Sequence, residues 1–292
     1  MSDDHFTLRA RGPYSLAASA RFLEDFVPAA QARASSDHTH WAFATDDGSA
    51  HVGVCLQPSD GGVALEVVGG HGPAVRDQVE RILSLDADGE AFAAVGRRDP
   101  VVGRIQDRLA GLRPVLFFTP YEAAAWAAIS HRIRLAQAAA IKQRLQREVG
   151  VEVVIHGERR FAFPSAERVL AAGVLPGLPE RKASNLRGVA EAALEGRLDA
   201  AHLRGLAPDE AITELKTLPG IGDFYAQLIL IRAAGSADFL PTAESRLRRA
   251  VAHAYGIDDP TQERLEEIAE AWRPFRSWVA FLLRVSYADA AG

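Results

Sequence analysis

The residues best placed to do chemistry in this 292-residue chain include one short run, Leu215-Lys216-Thr217-Leu218-Pro219-Gly220-Ile221-Gly222-Asp223-Phe224-Tyr225-Ala226. An amphipathic helix ends at Leu218, Pro219 and two glycines make a tight turn, and a second helix starts near Asp223. Glycines at 220 and 222 allow positive φ and leave the backbone bare. Successive N–H groups beside a helix N-terminus then point outward, where one phosphate fits. Such a contact fixes position and reads no sequence. The plain alternative is a helix–helix turn that only packs.

Other reactive side chains are few. Only Lys142, Lys182 and Lys216 are lysines among the 33 basic residues, so an amine nucleophile has three candidates. The high arginine share has base composition of the gene as an equal alternative. A single cysteine, Cys55, excludes a disulfide framework, a cysteine-rich zinc site and a four-cysteine iron–sulfur cluster. His38-Thr39-His40 is too short and isolated to be a metal site on its own. Ser130 and His131 are adjacent in a predicted helix and do not face each other as a nucleophile and base would. Neither a phosphate-binding Gly-Lys-Ser/Thr loop nor a Gly-x-Ser-x-Gly elbow is present.

The elements that must position these residues fall into two parts. Residues 1–88 read as an α+β unit: strands at 6–10, 41–45, 50–56 and 63–68, a helix from Ser15 to Phe26 capped by Ser15, and another opened by Pro73. Residues 89–292 read as helices joined at Gly, Pro and Asp, with 208–235 forming a helix-hairpin-helix and Val151 to Ile155 the one strand. Length and 48% hydrophobic content suit compact units with real cores. The formal charge of −5 at first argues against nucleic acid, but residues 1–89 carry net −7 and residues 90–292 net +2. No apolar stretch is long enough to span a bilayer and no export signal opens the chain, so a soluble cytoplasmic protein is expected.

Thirteen residues after Gly222 comes Gly235, then Pro241, Glu244 and Leu247-Arg248-Arg249. The hairpin with this downstream loop resembles the helix-hairpin-helix Gly/Pro/Asp DNA glycosylase superfamily, and within it the 3-methyladenine DNA glycosylase II type. Arg11-Gly12-Pro13-Tyr14-Ser15-Leu16, Asp99-Pro100-Val101, Gly111-Leu112-Arg113-Pro114 and Leu178-Pro179-Glu180-Arg181-Lys182-Ala183 carry the resemblance along nearly the whole chain. It implies an α+β N-terminal domain before an all-α glycosylase body, and excision of a damaged, alkylated base flipped out of double-stranded DNA. It implies no cofactor, no metal, no membrane and a monomer, associated with the nucleoid when bound to DNA.

The resemblance also implies roles for single residues. Glu244 stands at the catalytic aspartate position, where a fixed anion stabilises the sugar cation. Glutamate reaches ~1.5 Å further from its backbone than aspartate. Leu218, Pro219, Gly220, Ile221, Gly222 and Asp223 would hold phosphate. His131-Arg132 occupies the wedge position that fills the vacated stack, and Arg248 would add a DNA contact. Phe224, Tyr225, Trp278 and Arg284 would line the base pocket; Arg284 stands where one branch has a tryptophan. An arginine there repels the cationic purines that favour aromatic faces. Phe224 stands where the lyase branch has its lysine, so a Schiff base lacks its nucleophile. These departures leave open a second reading, a catalytically weakened glycosylase fold that binds damaged or distorted DNA. A third assigns the hairpin to a protein partner.

Overall fold

A computed structural model describes residues 4–26, 28, 38–69 and 72–291. The N-terminal part runs β1 (Asp4–Arg9), α1 (Leu16–Asp25), β2 (Thr39–Ala44), β3 (His51–Ser59), β4 (Gly62–Val68) and α2 (Gly72–Ile82). Its strands pair antiparallel in the order β1-β4-β3-β2. Alternation sends Leu8, Trp41, Phe43, Val52, Val54, Leu56, Val63, Leu65 and Val67 to one buried face. Ser15 caps α1 as expected, accepting from the Ala18 N–H at 3.2 Å.

The remainder is chiefly helical: α3 (Gly89–Arg98), α4 (Pro100–Arg108), α5 (Pro120–Ser130), α6 (Leu135–Glu148), α7 (Ala166–Ala171), α8 (Glu180–Leu194), α9 (Ala200–Gly205), α10 (Pro208–Lys216), α11 (Asp223–Ile229), α12 (Ser245–Tyr255), α13 (Gln262–Glu270) and α14 (Arg276–Ala291). Capping carboxylates and hydroxyls start several of them. Asp88 caps α3, Asp99 caps α4 and Thr119 caps α5. Asp99 does more: its second oxygen accepts from the Tyr255 hydroxyl at 2.5 Å, and Tyr255 accepts from Trp272 Nε1 at 2.9 Å. The first helices of the body are thereby tied to the last. Arg113, 1% exposed, donates to the Pro13 and Ser84 carbonyls at 3.1 Å each, which locks the 11–13 loop against α2.

Three local differences separate this fold from the sequence expectation. First, a second strand, β6 (Glu158–Ala162), pairs with β5 (Val151–Ile155) through a turn at His156-Gly157, both with positive φ. The run Glu158-Arg159-Arg160 hides the strand because it lacks apolar alternation. This hairpin lies on the outer face of the N-terminal sheet, so β2 is buried on both sides. The approach is close: a Cβ on Gly53 would come within 2.6 Å of Ile155. Second, the helix predicted over 223–234 turns into a single π turn at Leu230–Ala234. Third, the predicted helix that carries Ser130 and His131 ends at Ser130 and the next starts only at Leu135, leaving His131-Arg132 in a corner.

Two hydrophobic cores result, and neither is continuous in sequence. One joins the N-terminal sheet to α5–α11 and the π turn, with Phe117 and Phe118 at the junction. The other joins α3 and α4 to α12–α14 through Phe92, Val95, Leu247, Trp272 and Trp278. The cores thus group α3–α4 with the C-terminal helices, across the middle of the expected 89–292 body. No helix of the described residues is long and apolar enough to cross a membrane.

Candidate active site and nucleic-acid interface

A cavity of about 1120 Å³ opens on the face that carries α1, the end of α5, α11, the π turn and the starts of α12 and α14. Glu244 stands in its wall as the N-cap of α12. Gln227 on α11 sets the approach to it, accepting from the Ala243 N–H at 2.9 Å and donating to the Thr242 hydroxyl at 3.1 Å. The Glu244 carboxylate is 12% exposed and fully engaged. Oε1 accepts from the Arg246 N–H at 3.1 Å, and Oε2 pairs with Arg284 Nη1. Burial pulls the Arg284 guanidinium below its ordinary pKa, opposed by the Glu244 charge, with Arg246 lowering it further.

The hairpin lies beside this wall. Leu218 and Ile221 are buried anchors, 4% and 6% exposed, while Pro219, Gly220, Gly222 and Asp223 face solvent. Gly220 has φ +81° and needs its glycine; Gly222 is extended, with open space where a Cβ would stand. Gly222 brings no capping side chain to α11, so the first N–H groups of that helix are left for an outside acceptor. Lys216 pairs with Asp223 at 2.6 Å across the turn.

Phe224 and Tyr225 line the cavity. Tyr225 donates its hydroxyl to Ser130 Oγ at 2.9 Å, since that Oγ donates its own hydrogen to the Trp126 carbonyl at 2.7 Å. Arg132 sits at the exposed corner after α5 with φ +55°, a conformation that costs a non-glycine residue ~1–2 kcal/mol. Lys182 holds this corner, donating to the Ile129 carbonyl and to the His131 carbonyl at 2.5 and 2.8 Å. His131 is exposed beside Arg132.

Two expected residues lie elsewhere. Trp278 is 4% exposed and packs in the second core against Phe92 and Phe275, at 4.9 and 5.2 Å between ring centroids. It directly follows Ser277, a lining residue of α14, and the ~100° rotation per helical residue carries it off the lining stripe into the core. Arg248 points away from the cavity and donates to the Pro260 carbonyl at 2.9 Å.

Sequence reasoning missed the deepest part of the cavity. Phe22 of α1, Phe26 at its C-cap and Phe281 of α14 form a three-ring cage, and Arg232 from the π turn fills it. Its guanidinium carbon lies 4.6 Å from the Phe26 centroid, 5.0 Å from Phe281 and 5.2 Å from Phe22. Burial pushes the Arg232 pKa down to about 9, and Arg284 adds to the fall, so the group stays charged at neutral pH. Signals existed: a lone arginine inside the apolar run Leu228 to Ala234, and paired phenylalanines one turn apart in α1. Leu135, 54% exposed beside Arg132 and also lining the cavity, is a second apolar side chain at the mouth.

Among the described residues the lining includes six arginines, at 21, 108, 132, 232, 246 and 284, against one carboxylate, Glu244. None of the three lysines lines it. A strongly positive cleft with one fixed anion and an aromatic floor can draw in a phosphate chain and stabilise a local cation.

No family model matches this chain. It is 25% identical over 211 residues to a DNA-3-methyladenine glycosylase of Bacillus subtilis, covering 70% of this chain and 69% of that protein. Its fold matches a 3-methyladenine DNA glycosylase from Archaeoglobus fulgidus with a TM-score of 0.80 and 24% identity, over 97% of this chain and 98% of the other. It also matches an 8-oxoguanine glycosylase/lyase of Clostridium acetobutylicum solved with double-stranded DNA, with a TM-score of 0.62 and 16% identity, over 88% of this chain and 97% of that one. The fold is the one shared by these helix-hairpin-helix DNA glycosylase structures. In sequence and in fold the chain is similar to 3-methyladenine DNA glycosylases.

Proposed function

We propose that this protein is a monofunctional DNA glycosylase that excises an alkylated base flipped from double-stranded DNA into the cavity, acting as a monomer on the nucleoid. The observation that carries the reading is Glu244, a carboxylate fixed at the start of α12 in the wall of a cavity beside the hairpin. Breaking the glycosidic bond sends its electron pair to the base and leaves positive charge on the sugar. A preplaced anion stabilises that charge and orients the attacking water. The hairpin at 218–223 would take the phosphate, and Arg132 would fill the gap left by the flipped nucleotide, with His131 beside it.

The charge of the cavity narrows the base. Arg232 already occupies the aromatic cage, and Arg284 stands across from it. A cationic purine would meet two like charges there, so neutral alkylated bases are favoured over cationic ones. The absence of a lysine from the lining supports hydrolysis over Schiff-base chemistry.

Release of free base from a panel of lesion-bearing duplexes tests the reading. Glu244→Gln is expected to slow excision on the order of 10²- to 10³-fold with DNA affinity retained. An unchanged rate would remove Glu244 from the chemistry.

The ion pair between Arg284 and Glu244 favours a second reading. It neutralises the carboxylate at rest, as expected of a fold that binds distorted DNA after losing efficient turnover. A large gain of activity in Glu244→Asp, which withdraws the carboxylate from Arg284, would favour that reading over the first.

A further inference from the structure

One cluster of chemically competent side chains lies outside the cavity. On the outer face of the N-terminal sheet, the register sets His5 opposite Glu66, Glu66 opposite Cys55, and Cys55 opposite His40. Directly opposed residues share a face, so these four form one row across the sheet. The β5–β6 hairpin lies over that row, and its turn delivers His156 and Glu158 onto it. His38, just before β2, completes the group.

Donor atoms of His38, His40 and His156 all lie within 4.8 Å of one another, as do those of Cys55, Glu66 and His156. The His40 ring is 4.7 Å from His38 and 5.2 Å from His156, centroid to centroid. A tetrahedral ion with metal–nitrogen bonds of ~2.0–2.1 Å needs its donors ~3.4 Å apart. Rotation of His38 and His156, neither of them buried, covers the difference.

The second observation is His40 itself. It is 2% exposed; its Nδ1 lies 3.1 Å from Glu158 Oε2, and its Nε2 is buried with no hydrogen-bond partner. A carboxylate on Nδ1 holds the proton there and leaves the lone pair on Nε2, the arrangement that orients a metal-binding imidazole. A buried acceptor without a donor is costly unless something occupies it.

We propose that His38, His40 and His156 bind one zinc-class divalent transition-metal ion, with Cys55 and Glu66 at hand for a fourth position. Three imidazoles and a thiol favour a borderline ion over magnesium or calcium. All donors come from the protein, as in structural sites. The ion would clasp the hairpin to the sheet, two ligands coming from the N-terminal part and one from the body. No sequence spacing could show this, because His156 reaches His38 and His40 only through the hairpin. The proposal is independent of the glycosylase reading.

The test uses the untagged, metal-stripped full chain, titrated with Zn²⁺ by calorimetry and with Co²⁺ by visible absorption. One ion per chain is expected, with ligand-field bands of tetrahedral Co²⁺, and increased hydrogen-exchange protection of residues 151–162. His38→Ala and His156→Asn should each weaken binding on the order of 100-fold. Asparagine tolerates the left-handed conformation at 156, so both variants should match the metal-free wild type in circular dichroism. No stoichiometric uptake, or uptake unchanged in both variants, overturns the proposal.

Discussion

Arg232 decides more than any other residue missed at the sequence level. A guanidinium inside a cage of three phenylalanines satisfies the rings with the protein's own cation. Replacing it should reopen the cage. In Arg232→Leu, excision of a cationic purine relative to a neutral adduct is expected to rise roughly 30-fold, since a desolvated cation–π contact is worth ~2 kcal/mol. Competition between 7-methylguanine and a neutral etheno adduct in one duplex pool reads the ratio; a ratio left as in the wild type would show that Arg232 does not set base charge. Glu244 was legible because Gly235 and Pro241 fixed the count to it. Its partner Arg284 was legible as a position, and the ion pair between them was not, because α12 and α14 meet only in three dimensions. Trp278 shows the converse. A tryptophan near a motif reads as a pocket residue, but the helix phase buries it in the second core.

At the scale of elements, the hairpin and the corner after α5 are the two devices that would meet DNA. Their signals differ in kind. Two glycines and a proline between amphipathic helices mark the hairpin in sequence. The corner is held by Lys182 on its carbonyls, while the Lys142–Glu122 pair at 2.6 Å ties α6 to the first turn of α5. Both partners of that pair are buried, so Lys142→Ala would strand a carboxylate and should cost ~3–5 kcal/mol, read as a lowered midpoint in denaturant. A loss below ~1 kcal/mol would mean that solvent reaches the pair. For the hairpin, Gly222→Asp suits the backbone and the open space there. It sets a carboxylate against the phosphate, so DNA affinity should fall roughly 10- to 100-fold for every sequence alike. Affinity unchanged at low salt would leave the hairpin a packing turn. The β5–β6 strand pair was half legible, because arginines on β6 conceal a strand whose outer side faces water.

At the scale of the whole molecule, the distribution of charge would let an acidic protein face the DNA of the proposed function. The acidic excess sits in residues 1–89, whereas arginine dominates the cavity lining. Binding should therefore weaken steeply with salt despite the net charge of −5, and a flat salt response would count against phosphate contacts. Fold class was legible from element order; the division into cores was not, because it depends on which helices return to which. That division bears on how the chain is made. Helices α3 and α4 carry Phe92, Val95, Val102 and Ile105, and beyond Leu112 and the flank of α1 most of their core lies from Leu240 onward. Synthesis runs from the N-terminus, so these side chains wait, largely uncovered, while the whole of the other core is made and closes. Long-range closure of this kind is slow. A ribosome-bound chain truncated before Leu240 should therefore display a sticky apolar surface on an otherwise finished half, and the last helices serve as its lid during birth before they serve as a wall of the cavity.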